Sequence, residues 1–341
     1  MKGAICWGVS ICFVLSIESC KTDPNLNPED PYSFQIPNGW PKARYNFENN
    51  PVSQVGFELG KKLFFDKRLS RDNTISCGSC HQPFSAFAQI GHDISHGVED
   101  RLGTRNSPPL FNLNWHPSFF WDGGVNHLEV QPINPIQNPL EMDENFTNII
   151  AKLNLDTDYK SRFSTVYGND SITTPRILKA LAQFMGLLIS HQSKYDKYKQ
   201  GDASFTASEI SGYTVFQNNC ASCHKEPLFS DFSLRNNGLK PSAVNDSGRA
   251  HITLNPADLY KFKVPSLRNL KYTTPYMHDG RFSSLEQVLD HYATGIHSSA
   301  TLDPLLMNGI QLSSQQRSDL LVFLQTLDDE AFIKDKRFQE K

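Results

Sequence analysis

The chain has 341 residues, with 33 Lys and Arg against 36 Asp and Glu, a formal net charge of −3, and 38% hydrophobic residues. No long basic run is present, so nucleic acid is not an expected partner, and the apolar content is that of an ordinary globular chain. Its length suits two domains of common size.

At the amino terminus, Lys2 is followed by AICWGVSICFVLSI, an apolar run of about thirteen residues, too short to span a bilayer and of the length of an export-signal core. Cys20 in IESCK stands where the lipidated Cys of a bacterial lipoprotein would stand. Ile17 suits that reading and Glu18 is unusual for it. A lipoprotein-type signal is expected over 1–20. The Pro-rich, polar stretch TDPNLNPEDPYSFQIPNGWP predicts an extended tether over 21–45.

Next, Val55, Leu59 and Leu63 recur at helical spacing just before SCGSCH, which places Cys77, Cys80 and His81 together. TASEISGYTVFQNNCASCH repeats the arrangement, with Ile210, Val215 and Phe216 on a helix leading to Cys220, Cys223 and His224. Between the two, Thr174 caps a helix with Pro175 at its first position. Near the end, Ser313 and Gln316 form a capping box ahead of Leu320, Leu321, Phe323, Leu324 and Leu327. KDKR, Lys334 to Arg337, reads as a solvated tail. Strand signals are few, and the pattern is that of a distant internal duplication.

Seven cysteines are present, and Cys6, Cys12 and Cys20 fall in the leader. The remaining four all lie in the two motifs, which leaves none for structural disulfides. A structural zinc site needs four ligands where each motif offers three, and a thioredoxin-like motif needs a βαβ context that is missing around Cys77. Covalent c-type haem uses all three residues: two thiols form thioethers with the porphyrin, and the His ligates iron. The fold class expected is therefore mainly α, with two cytochrome c-like helical domains, 46–200 and 201–341, each carrying one covalently attached haem c. Two such groups on one exported chain imply electron traffic.

TRNSPPLFN, FFWDGG, EVQPINPIQNPLEM, FKVPSLRNL and TTPYMHDGRFSSLEQVL, taken with the two haem motifs in this order, resemble the bacterial dihaem cytochrome c peroxidase and MauG family from about Gly56 to Leu327. The resemblance implies that His81 holds the peroxidatic iron and His224 the electron-transferring one. It implies that Glu141 is the acid and base for peroxide and Gln131 its supporting amide, since O–O heterolysis moves a proton from the near oxygen to the far one and a carboxylate within reach can carry it. Trp121 is implied to lie between the haems. His96 is implied as a displaceable ligand of the peroxidatic iron, although two residues more than usual separate it from the following Arg, and His92 is a competitor. Asn106 with the backbone oxygens of Thr273 and Pro275 is implied to hold calcium, a hard cation that oxygen ligands suit.

One departure matters: where peroxidases of the family carry a Met ligand, this chain has Tyr292, as the MauG branch does. A phenolate would stabilise ferric iron, and Met277 and Met307 are the alternative ligands, although Met277 sits where the family has a non-ligating residue. The activity implied is reduction of hydrogen peroxide with electrons from a periplasmic cytochrome c or small copper protein. A MauG-like oxidase of a protein or organic substrate, and a plain dihaem electron carrier, stand beside it. A periplasmic location, a lipid anchor on Cys20 and a homodimer complete the expectations.

Overall fold

Two pairs of crossing helices organise the chain, and each pair meets at a glycine. The computed structural model describes residues 30–340 together with Met1 and Gly3. The expected signal core and the Cys20 anchor lie outside the described residues.

In the first half, helices run over Gln54–Phe65 (α1), Cys77–Cys80 (α2), Ile133–Gln137 (α3), Phe146–Asn154 (α4), Thr157–Tyr167 (α5) and Thr174–Gly186 (α6). α1 crosses α6 at Gly60, where an added Cβ would sit 1.9 Å from the Ala180 carbonyl oxygen. Leu59, Leu63, Phe64, Leu181 and Phe184 are fully buried at this crossing, and each contributes roughly 1.5–3 kcal/mol by leaving water. Val55, expected on the same face, is exposed. The cap of α6 is Thr173, so the helix begins one residue earlier than the sequence pattern suggests, with Thr174 and Pro175 in its first turn.

In the second half, helices run over Lys194–Gln200 (α7), Ala207–Asn219 (α8), Ala250–Thr253 (α9), Leu285–Asp290 (α10), Ser314–Gln325 (α11) and Glu330–Lys334 (α12). α8 crosses α11 at Gly212, where a Cβ would sit 2.0 Å from the Asp319 carbonyl oxygen. Phe216 and Phe323 are fully buried there, whereas Ile210 is exposed on the outer face. Ser313 and Gln316 form the expected reciprocal cap of α11. Among the described residues the strand content is one antiparallel pair, Leu234–Arg235 (β1) with Phe262–Lys263 (β2).

The crossings correspond residue for residue. Gly60 is followed four residues later by Phe64, and Gly212 by Phe216. Ala180 precedes Phe184 and Asp319 precedes Phe323 at the same interval, so each glycine admits the backbone of its partner helix and each pair of phenylalanines closes the contact, at 5.0 and 5.2 Å between rings.

Both ends of the described chain join the first half. From residue 31 to 45 the backbone is irregular, yet Tyr32 packs on Phe57, Trp40 on Trp115, and Ala43 is buried. The expected tether is therefore docked from residue 31 onward. The KDKR tail is docked as well: Lys61 Nζ donates to the Arg337 carbonyl at 2.7 Å, Arg337 reaches the Pro31 carbonyl, and Phe338 is 2% exposed within the first core. α7, by contrast, contributes Tyr195 to the second core. Its Asp196 accepts both guanidinium nitrogens of the buried Arg268 at 2.7 and 2.8 Å. No described helix is long and apolar enough to cross a membrane.

Candidate functional site: two cysteine–histidine cavities

Each motif folds into the same local turn. His81 N donates to the Cys77 carbonyl and His224 N to the Cys220 carbonyl, both at 2.9 Å. Gly78 is required by packing, since a Cβ there would lie 2.3 Å from the Phe65 ring. Each histidine is then held from behind by a phenylalanine carbonyl: His81 Nδ1 meets Phe87 O at 2.8 Å, and His224 Nδ1 meets Phe229 O at 3.1 Å. Phe87 and Phe229 both adopt a positive φ, near 60° and 54°, a conformation that costs of order 1–3 kcal/mol and turns their carbonyls inward. With Nδ1 donating, Nε2 carries the lone pair that a metal would take. Burial pushes the His81 ring down to about 4 and lowers His224 too, which keeps both imidazoles neutral.

The thiols behave oppositely to those of a dithiol redox centre. Burial pushes Cys77 and Cys220 up to about 12 and Cys80 to about 11, whereas thiol exchange needs a lowered value. All four are unpaired. Among the described residues no group of three or more His, Cys, Asp or Glu is arranged to enclose a metal ion. Two thiols and a histidine on one wall of an apolar cavity fit a covalently held porphyrin.

The first cavity, about 60 Å³, is lined by Cys77, Cys80, His81, His96, Gln131 and Glu141 against Phe64, Leu110, Leu181 and Met185. Residues between positions 77 and 141 thus meet at one space, and His96, not His92, lines it. Glu141 is the carboxyl residue of the cavity wall: burial raises it above the ordinary value, partly offset by Asn138 Nδ2 donating to Oε1 at 2.7 Å. Gln131 is 9% exposed. His96 Nδ1 meets Asp100 Oδ1 at 2.5 Å, which leaves Nε2 free. Its neighbour Gly97 lies against the strand of chain that carries Glu141, because Val98 N donates to Glu141 O and a Cβ on Gly97 would sit 2.2 Å from Leu140 O.

The second cavity is larger, about 220 Å³, and is lined by Cys220, Cys223 and His224 with Val264, Leu289, Leu320 and other apolar residues. Tyr292 and Met277 both line it, Tyr292 from a single π-helical turn, His291–Gly295, a distortion common at functional positions. Burial raises the Tyr292 phenol to about 12, with Asn237 acting to lower it. Asn237 Nδ2 also approaches Met277 Sδ at 3.5 Å. Met307 is 71% exposed and lies off the cavity wall, which removes it as a substitute ligand.

Trp121 lines the second cavity and not the first. Its Nε1 donates to the carbonyl of Asn106 at 2.9 Å; Asn106 also lines the second cavity and the next residue, Ser107, lines the first, so the two walls adjoin here. Asn106 also bonds His278 O through its backbone N–H and the His92 and Asp93 carbonyls through Nδ2. Thr273 and Pro275 share the second cavity with it. Gly280, at φ 67°, presses within 2.5 Å of Asp93 for an added Cβ, tying the second-cavity loop to the loop that carries His96.

Sequence reasoning missed Asn138, Asp100, Asn237, Phe87 and Phe229, all of which orient the named groups. It also missed Lys263, inside the quoted FKVPSLRNL. Burial pushes this lysine down to about 7, and its Nζ donates to Ser118 O at 2.6 Å beside the second cavity.

Comparison with known proteins agrees with this geometry. A family model described as di-haem cytochrome c peroxidase matches residues 54–204. The methylamine utilization protein MauG of Methylorubrum extorquens is 36% identical over 290 residues, 82% of this chain and 80% of that one. Cytochrome c551 peroxidase of Nitrosomonas europaea is 36% identical over 278 residues, 79% of each chain. A solved MauG-like protein associated with microbial copper homeostasis superposes with a TM-score of 0.82 at 32% identity, over 90% of this chain and 98% of that one. The fold is that of a MauG-like protein. This chain belongs to the family of di-haem cytochrome c peroxidases and MauG proteins.

Proposed function

We propose that the protein reduces hydrogen peroxide to water at the first cavity with electrons that enter through the second. The observation that carries this reading is the convergence of His81, Glu141, Gln131 and His96 on one buried space. Cys77, Cys80 and His81 would hold one haem, and Cys220, Cys223 and His224 the other. Bound haem supplies the iron that accepts electrons and passes them to peroxide.

The chain's own residues supply the proton chemistry. Glu141 Oε1 is held by Asn138, which leaves Oε2 to take the proton from the near oxygen of peroxide and return it to the far oxygen as the O–O bond breaks. The Gln131 amide holds the peroxide oriented toward it. The apolar walls exclude bulk water, which strengthens both contacts. His96 Nε2 is the group that can occupy the peroxide position until its loop withdraws. Trp121 carries electrons from the second cavity toward the first through its contact with Asn106. Asn106 Oδ1 with the carbonyls of Thr273 and Pro275 would hold calcium between the halves.

Tyr292 favours a second reading. A phenolate on the second iron would lower its potential against a thioether and suit a MauG-like oxidase that withdraws electrons from a protein or organic substrate. Peroxide activation is common to both readings, and the acid–base cavity argues against a plain carrier. The donor proposed is a periplasmic cytochrome c or small copper protein, with the protein exported, lipid-anchored through Cys20 and a homodimer. Stopped-flow mixing of peroxide with pre-reduced cytochrome c tests the reading. Rapid donor oxidation that is lost in Glu141→Gln supports it; bleaching of the haem bands without donor turnover points to the oxidase, and no reaction to the carrier.

A further inference from the structure

The second half holds a redox-capable cluster that peroxide reduction leaves unused. Tyr195 and Tyr213 both donate their phenol hydrogens to one carboxylate oxygen, Glu226 Oε2, at 2.7 and 3.0 Å. Tyr195 is 1% exposed, and its ring meets Phe229 edge-on at 4.7 Å. The Phe229 carbonyl is the acceptor for His224 Nδ1. Tyr213 is half-buried, its ring 6.3 Å from that of Tyr195, and Lys199 Nζ lies 3.5 Å from both its hydroxyl and Glu226 Oε2. A line of contacts therefore runs from His224 through Phe229 and Tyr195 to a tyrosine at the surface.

A buried phenol needs one acceptor, and a backbone carbonyl would serve; here two converge on an anion. Burial pushes both phenols well above their ordinary value, so neither ionises at neutral pH. Arg268 and Lys199 stand 6.0 and 5.9 Å from the Tyr195 ring centre, which disfavours a cationic ring. Loss of an electron from either tyrosine must then be accompanied by loss of its proton, and Glu226 is the base in place.

We propose that Tyr195, Tyr213 and Glu226 form a proton-coupled exit for oxidising equivalents generated by peroxide, an inference that rests on the peroxide chemistry above. Tyr195 gives one electron toward the haem held by His224 and its hydroxyl proton to Glu226 Oε2; the phenol O–H bond breaks and a carboxyl O–H bond forms. Tyr213 then gives an electron to Tyr195, which recovers the proton from Glu226 while Tyr213 passes its own to Glu226. A small phenol in solution returns the electron to Tyr213 and loses its own proton to water, and Glu226 returns its proton to Tyr213. Each peroxide takes two electrons and two protons to give two waters, so it drives two such passages.

The test mixes the full-length holoprotein with hydrogen peroxide and a nitroso spin trap, without donor, and maps the trap adduct by peptide mass spectrometry. The adduct is expected on Tyr213 and is expected to be lost in Tyr195→Phe, in Glu226→Gln and in Tyr213→Phe, the last a change of one hydroxyl that spares the core. Consumption of peroxide with ferrocytochrome c is expected to be unchanged in all three. Peroxide consumption with neither tyrosine labelled, or a Tyr213 label that persists in Tyr195→Phe, overturns the exit and leaves the peroxidase reading standing. Absence of peroxide consumption overturns both.

Discussion

The two halves hold their histidines identically and surround them differently. Gly60 and Gly212 seat the helices that precede the two motifs, and the Phe87 and Phe229 carbonyls meet Nδ1 of His81 and His224, so the local framework is duplicated. The first cavity adds Glu141, Gln131 and His96 in a narrow space; the second offers a wide apolar wall with Tyr292 and Met277. Its carboxylate, Asp303, is already paired with Arg235 at 2.7 Å. On the proposed reading, proton-handling groups on one side and ligand-type groups on the other would divide the work, with bond-breaking in the first half and electron entry in the second.

The contrast breaks most sharply at the carboxylates. Glu141→Gln is expected to slow the peroxide step by about 10²–10⁴-fold, the usual worth of a positioned acid–base group. Asp303→Asn in the second cavity is expected to leave that step unchanged when it is followed by stopped-flow absorbance. Next in size are the crossings. Gly60→Val and Gly212→Val each force a side chain into a neighbouring backbone, so each should lower stability by at least about 1–3 kcal/mol in denaturant titrations. A cost confined to one half would show that the duplication is not mechanical.

Tyr292→Phe should alter the ferric spectrum and raise the potential of the second haem, while Met277→Leu should leave both in place; the reverse outcome makes Met277 the ligand. The smallest expected effect is on pH dependence. Glu141 acts as its carboxylate, so the rate falls as pH drops through a pKa held above the ordinary 4.5 by burial. The Asn138 hydrogen bond lowers that pKa, and Asn138→Ala should therefore move the acid limb of the rate profile to higher pH.

Much of this arrangement is written locally and can be read from the chain. The two Cys–x–x–Cys–His strings, the capping box at Ser313 and the spacing of Leu59 and Leu63 act within a few residues of themselves. What escaped reading depends on contacts across the chain. Phe338 and Arg337 look like a charged tail until Lys61, 276 residues away from Arg337, is seen to hold it. Ile210 carries an apolar side chain on the outward face of α8, where periodicity alone cannot tell which stripe is covered. Tyr195, Tyr213 and Glu226 are unremarkable in sequence because their meeting requires α7, α8 and the turn after His224 to close on one another.

The division of labour is tested most directly by removing one haem at a time. Cys77→Ser with Cys80→Ser, and separately Cys220→Ser with Cys223→Ser, should each yield protein with one attached porphyrin by mass spectrometry. Mixed with hydrogen peroxide after reduction by dithionite, the protein that keeps the first haem is expected to be oxidised rapidly, and the protein that keeps only the second is expected to be inert. Rapid peroxide reaction at the second haem, with none at the first, would contradict the assignment of the two cavities.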